Sequence, residues 1–181
     1  DHGGWAWSCT QGGEVLDWHK DSYGHAFVIF GLSHACRVTG NQDFKAAALD
    51  TWQVFATHFR DEHDGFYFKM SRDFQEAEPL KSQNPIMHLF EALLALGDLP
   101  EMEAMHQEAA QVAEFILKRL VRQDDKMLPE VYTPNWQALP ATEEGRIYIG
   151  HAFEWAYLLS TAVARGLPTS YLAAAENFLA Y

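Results

Sequence analysis

A chain of 181 residues with 48% apolar composition is long enough to bury the core of one globular domain. Its net charge of −12 argues against nucleic acid or an anionic membrane as partner, because phosphates and anionic lipids would repel it, and leaves a small neutral ligand compatible. Two cysteines, Cys9 and Cys36, no basic-then-apolar leader and no long charge-free apolar span point to a reducing, cytoplasmic setting without a disulfide framework or membrane helix.

Residues 1–21 read as a lead-in with a hairpin: Gly4-Trp-Ala-Trp-Ser-Cys-Thr, a Gly12-Gly13 turn, then Glu14-Val-Leu. The run Tyr23-Gly-His-Ala-Phe-Val-Ile-Phe-Gly-Leu is apolar almost all round, as expected of a helix packed on every side. Gly40 stands just past it, where a positive φ ends a helix. Phe44, Ala48, Trp52, Phe55 and Phe59 then form a single apolar stripe of period 3.6, the mark of an outer helix. A long link over residues 61–83 carries the strand-like Gly65-Phe-Tyr-Phe-Lys-Met.

Asn84-Pro85 suits a cap followed by the first helical position of a second inner run, Ile86-Met-His-Leu-Phe-Glu-Ala-Leu-Leu-Ala-Leu, closed by Gly97. Its outer companion is the stripe Met102, Met105, Ala109, Val112, Ile116 and Leu120. After another long link, over residues 122–146, comes the third inner run, Ile149-Gly-His-Ala-Phe-Glu-Trp-Ala-Tyr-Leu-Leu, with Gly166 past its end. The pattern Tyr171-Leu172, Ala175, Phe178-Leu179 is still helical where the sequence stops at Tyr181.

His25, His88 and His151 are separated by 63 residues each and open the three inner runs, so a helix pair is being repeated. Inner-to-outer links are short and outer-to-inner links long, which gathers the long loops, with Trp5, Trp7, Trp18, Phe66, Tyr67, Phe68, Tyr132 and Trp136, at one end. The equal spacing predicts all three histidines at the mouth those loops surround. Three inner helices set in an arc would leave an apolar inner face open, to be covered by missing repeats or by a partner, a homo-oligomer included. A start at Asp1, directly before the hairpin, fits the same expectation of an incomplete, single-domain chain over 1–181.

His151 and Glu154, and likewise His88 and Glu91, lie three residues apart on one helical face. Such a pair is either a core histidine satisfied by a carboxylate or an acid/base group, whose pKa must sit near neutrality. A helix amino end disfavours imidazolium and Glu154 favours it, so the net shift has no sign from sequence. Metal binding is the competing use, but the order is opposite to the Glu-x-x-His of di-iron bundles and no third ligand cluster is visible, so no metal is expected. His25 has Val28 three residues on and reads as a wall residue or hydrogen-bond donor. Tyr23 offers a phenol to the mouth or packs at a helix start; Asn84 caps a helix or holds a sugar hydroxyl; Arg146 orients an oxygen-rich ligand or is simply solvated.

Taken in order, Tyr23-Gly-His-Ala-Phe, Asn84-Pro-Ile-Met-His-Leu-Phe-Glu-Ala and Gly150-His-Ala-Phe-Glu-Trp resemble the N-acylglucosamine 2-epimerase superfamily, as do the Gly-Gly-Trp hairpin and the Tyr132-Thr-Pro-Asn-Trp loop. The resemblance implies an all-α fold, an (α/α)6 barrel of alternating inner and outer helices of which about half is represented, with short hairpins in its long loops. It implies sugar isomerisation or epimerisation by proton transfer through a cis-enediolate, with no cofactor. By the same resemblance His151 is an acid/base with Glu154 beside it, His88 serves ring opening or hydroxyl contacts, and Asn84 and Tyr23 line the sugar pocket. A second acid/base histidine of the family has no match here, so these residues alone are expected to be inactive. His25, where many epimerases carry Gln, and the Glu154-Trp155 pair look more like the mannose-type aldose-ketose isomerases than the 2-epimerases. A noncatalytic sugar-binding or interaction scaffold is the alternative from another class.

Overall fold

The computed structural model describes residues 2–142 and 145–180; the chain ends at Asp1 and Tyr181, on which the incompleteness expectation drew, lie outside the described residues. Three helix pairs follow one another: α1 (Ser22–Thr39) with α2 (Gln42–His58), α3 (Asn84–Gly97) with α4 (Met105–Phe115), and α5 (Ile149–Ala164) with α6 (Tyr171–Leu179). α1 packs on α2 and α3, α3 on α4 and α5, and α5 on α6. The inner helices are therefore α1, α3 and α5, each backed by the helix that follows it.

Local chemistry accounts for most boundaries. Asp21 accepts a hydrogen bond from Gly24 N at the start of α1, and Asn41 from Asp43 N at the start of α2. Gly40, at φ 71°, ends α1 as expected. Gly97 differs: it is the last residue of α3, not a residue past it, and a Cβ there would lie 2.3 Å from the His106 ring of α4. Close approach of two helices, not a left-handed turn, requires glycine at this position. The second outer helix also departs from a continuous α pattern, because Ile116–Leu120 forms a π-helical turn in which Val121 N bonds Ile116 O. The expected strand from Gly65 shrinks to Lys69–Met70.

Among the described residues, six short strands make three antiparallel pairs. β1 (Ser8–Cys9) and β2 (Val15–Asp17) close the first hairpin. β3 (Lys20–Asp21), directly before α1, pairs with β4 (Lys69–Met70) in the next long link. β5 (Lys81–Ser82), directly before α3, pairs with β6 (Val131–Tyr132) in the link after that. α1 and α3 thus each follow a strand pinned to the next long link, which ties the loops together at the amino ends of these two inner helices.

One continuous core runs through all three pairs, from Ala26 and Ile29 through Leu89, Phe90 and Leu93 to Trp155, Leu159 and Phe178. Phe66, Tyr132 and Trp136 belong to it, so these loop aromatics serve packing, whereas Trp5, Trp7 and Trp18 stay exposed. A buried ion pair closes the link over residues 61–83, and Trp136 fastens the next link to it: Lys81 Nζ lies 2.7 Å from Asp61 Oδ2, which also accepts from Trp136 Nε1 at 2.7 Å. Lys81 stands over the Tyr67 ring at 3.8 Å. On α5, Ile149, Phe153 and Tyr157 are exposed at intervals of four residues, an uncovered apolar stripe as the arc arrangement anticipates. Among the described residues, no helix is long and apolar enough to cross a membrane, and both cysteines are free.

Candidate active site

The constant spacing of the three histidines does not survive as a constant orientation. His25 is the fourth residue of α1, His88 the fifth of α3 and His151 the third of α5. What each ring meets differs accordingly: a strand and hairpin for His25, carboxylates of α3 and α5 for His88, and a loop carboxylate for His151. His25 turns to the hairpin and to α2: its Nε2 accepts from Trp5 N at 2.9 Å, its Nδ1 donates to Asp21 O at 2.7 Å, and its ring meets Phe59 at 5.1 Å. Burial pulls its pKa down to about 4, against the partial support of the Asp21 carbonyl. A Cβ at Gly4, where φ is 65°, would stand 2.6 Å from His25 Nε2, so the opening Gly-Gly-Trp exists to let the hairpin backbone reach this ring. The expectation that His25 faces the mouth with the other two is corrected here; with both nitrogens bonded inside the scaffold and the ring 1% exposed, it has nothing left for a sugar.

Tyr23 and Phe27, on the opposite side of α1, do face α3. Their rings pack on His88 at 5.0 Å and 4.6 Å between centroids. His88 Nδ1 lies 3.3 Å from Glu91 Oε2 and 3.9 Å from Glu154 Oε1. Glu154 was expected beside His151, and its charge does act on that ring, but its carboxylate leans across to α3. One ligand atom each from His88, Glu91 and Glu154 come within 4.8 Å of one another. A divalent cation of the zinc or manganese kind would find three donors there, a grouping that the sequence reading missed because Glu154 arrives from another helix.

His151 takes a different partner, one that no motif announced. Its Nδ1 lies 2.8 Å from Oε2 of Glu130, a residue just before β6 that is 8% exposed. Pairing of β5 with β6 delivers Glu130 to this place, since Gln83 N bonds Glu130 O at the end of the ladder. Ser82 Oγ and Gln83 Nε2 donate to the two Glu130 oxygens, at 3.3 Å and 2.8 Å. Gln83 Oε1 in turn accepts from Trp155 Nε1 at 2.7 Å. The Glu130 hydrogen bond, with the charges of Glu130 and Glu154, outweighs desolvation and holds the His151 pKa above its ordinary 6.5. The ring is half-buried and packs edge-on against Tyr148 at 5.4 Å.

Asn84 is the first residue of α3, with Gln83 as the N-cap and Pro85 second, so the expected capping role is not the one it plays. Its Oδ1 is buried with no hydrogen-bond partner among the described residues, an acceptor at the edge of the site that a donor could satisfy. Arg146 is exposed, and its carbonyl accepts from Glu130 N at 2.9 Å, which helps to seat the carboxylate. A 320 Å³ hollow between Arg60, Phe66 and Arg119 lies on the outer face and includes neither site histidine.

The sequence matches the N-acylglucosamine 2-epimerase (GlcNAc 2-epimerase) family over residues 1–180. The chain belongs to this family. It is 30% identical over 174 residues to a D-mannose isomerase of Thermobifida fusca, covering 88% of this chain and 41% of the relative. With a cellobiose 2-epimerase of Bacteroides fragilis it shares 23% over 173 residues, covering 90% and 43% respectively. The chain thus spans less than half the length of these curated relatives. A crystal structure of D-mannose isomerase superposes with a TM-score of 0.83 at 29% identity, covering 92% of this chain and 43% of that one. Cellobiose 2-epimerase from Spirochaeta thermophila superposes at 0.87 with 21% identity, covering 98% and 47%. The arc of three helix pairs therefore corresponds to about half of an (α/α)6 barrel, and the chain carries the fold of sugar isomerases and epimerases.

Proposed function

We propose that His151 is an acid/base group of an aldose-ketose isomerase acting on a mannose-like sugar. The observation that carries this reading is a solvent-reachable imidazole whose Nδ1 is occupied by a buried carboxylate, which leaves Nε2 for substrate. Glu154 connects it to His88, following His151 by one turn and lying 3.9 Å from His88 Nδ1. His88, Asn84, Glu91 and Tyr23 then make a polar wall for the sugar, with Arg146 at its edge; His25 holds that wall from behind. Greater similarity to D-mannose isomerases than to cellobiose 2-epimerase favours the isomerase, as does Glu154-Trp155.

The chemistry follows from one mobile proton. With the ring open and C1 a carbonyl, the base takes the C2 proton and the bonding pair enters a cis-enediolate. The hydroxyl proton passes from O2 to O1, the base returns its proton to C1, and the ketose forms. Return to the opposite face of C2 gives the epimer instead, which makes 2-epimerisation the second reading. The substrate is neutral, and neither route calls for a redox cofactor or a Lewis acid.

Incubation of the full-length protein with mannose in D₂O tests this directly. Fructose carrying deuterium at C1 is the expected product. Glucose as the main product would replace the isomerase by an epimerase, and absence of exchange with mannose, glucose and N-acetylglucosamine would favour a noncatalytic sugar-binding scaffold.

A further inference from the structure

The groups behind His151 form a chain whose donors and acceptors can be assigned from chemistry alone. An indole nitrogen only donates, so the atom 2.7 Å from Trp155 Nε1 must be the oxygen of the Gln83 amide. That places the amide nitrogen toward Glu130 Oε2, at 2.8 Å, and His151 Nδ1, at 3.2 Å. The flipped amide would set two donors against each other at Trp155 and two oxygens against each other at Glu130. The carboxylate is thus met by donors on both oxygens, from Gln83 and from Ser82, which favours its ionised form. An ionised carboxylate can only accept, so the proton in its 2.8 Å contact with His151 sits on Nδ1. Since Gln83 Nε2 and His151 Nδ1 are both donors, their 3.2 Å approach is a shared orientation toward Oε2, not a bond between them.

We propose that Trp155, acting through Gln83 and Glu130, fixes His151 as the Nδ1–H tautomer and so makes Nε2 the atom that takes and returns the sugar proton. The three are positioning residues, and the inference rests on the acid/base role proposed for His151. Trp155 is fully buried and stacks on Phe90 at 5.5 Å, so it touches no substrate and cannot swing away. When Nε2 accepts the C2 proton the ring becomes imidazolium; Glu130 keeps its negative charge beside it and takes no proton. For a neutral ring, the other arrangement consistent with the distances is a protonated Glu130 donating to Nδ1, with the histidine proton on Nε2. That ring would have no base atom to offer.

The two arrangements differ in which nitrogen carries hydrogen, and ¹⁵N-histidine NMR of the full-length protein, above the His151 pKa, reads this without any turnover. The His151 signals are identified by their loss in His151→Gln. The expected pattern is protonated Nδ1 with unprotonated Nε2. Trp155→Phe keeps the packed ring and removes only the donor, and should give a mixture of tautomers; Gln83→Met, similar in volume, should do the same should the first variant fold poorly. In kinetics these variants should lower kcat several-fold with KM nearly unchanged, as loss of orientation without loss of contact requires. A wild-type ring protonated on Nε2 overturns the proposal, and unchanged tautomer populations in both variants remove Trp155 and Gln83 from it. Protonated Nδ1 without sugar exchange would sink the acid/base role and leave the tautomer assignment standing, so the two failures are separable.

Discussion

Glu130 Oε2 approaches His151 Nδ1 to 2.8 Å, across 21 residues of chain and from a strand end to a helix start. A histidine held in this way is polarised by its partner and by Glu154, and its basicity is set above that of a free imidazole.

The pH dependence of exchange follows from that shift. A general base works when neutral, so the rate should rise with pH through a midpoint above 6.5. Glu154→Gln removes one of the charges that favour imidazolium and should move the midpoint down. His151→Gln should lower proton exchange by ~10²- to 10⁴-fold with the circular dichroism unchanged. Loss of less than about tenfold would mean that another group is the base.

Acid stability should depend on His25. Its pKa is about 4 in the folded chain against 6.5 in an exposed imidazole, so the unfolded chain binds the proton first. The stability it contributes is full above pH 6.5 and disappears as pH falls toward 4, on the order of 3 kcal/mol in all. Urea midpoints measured across that window should fall more steeply for the wild type than for His25→Gln, which has no proton to take up.

Asp61 and Lys81 pair across the two ends of one long link, with side chains 0% and 3% exposed, and Asp61 holds Trp136 of the next link. Burial pushes the Asp61 carboxyl up, but the hydrogen bonds from Lys81 and Trp136 prevail and keep it below the usual carboxylate range. Asp61→Asn or Lys81→Met leaves the other charge buried alone and should cost about 3–5 kcal/mol in urea unfolding. Because β5 leads directly into Gln83, the same variants should also broaden the His151 NMR signals.

Gly65 lies under Trp136: a Cβ there would stand 2.5 Å from the indole ring. Trp136 is buried and committed to Asp61, so it has little room to retreat. Gly65→Ala should destabilise by about 1–3 kcal/mol, the usual cost of overpacking, and tryptophan fluorescence should report the displaced ring.

The histidine interval shows how far sequence periodicity reaches. A spacing of 63 residues was enough to reveal the repeated helix pair, but Ser22, Asn84 and Ile149 begin their helices at unequal distances before His25, His88 and His151. A correct repeat still leaves open what each ring meets, which is Trp5 and Asp21 for His25, Glu91 and Glu154 for His88, and Glu130 for His151. Glu130 carried no signal at all, because it lies in an irregular link and meets His151 only through the pairing of β5 with β6.

By itself the sequence determined the alternation of inner and outer helices, the end at which the loops gather and the family. These follow from apolar periodicity and ordered motifs, both written along the chain. Tertiary structure alone decided that His25 belongs to the scaffold, that Glu154 serves His88 and that Glu130 serves His151. Such pairings depend on helix rotation and strand register, which are set by the whole packed core, and no local run of residues encodes them.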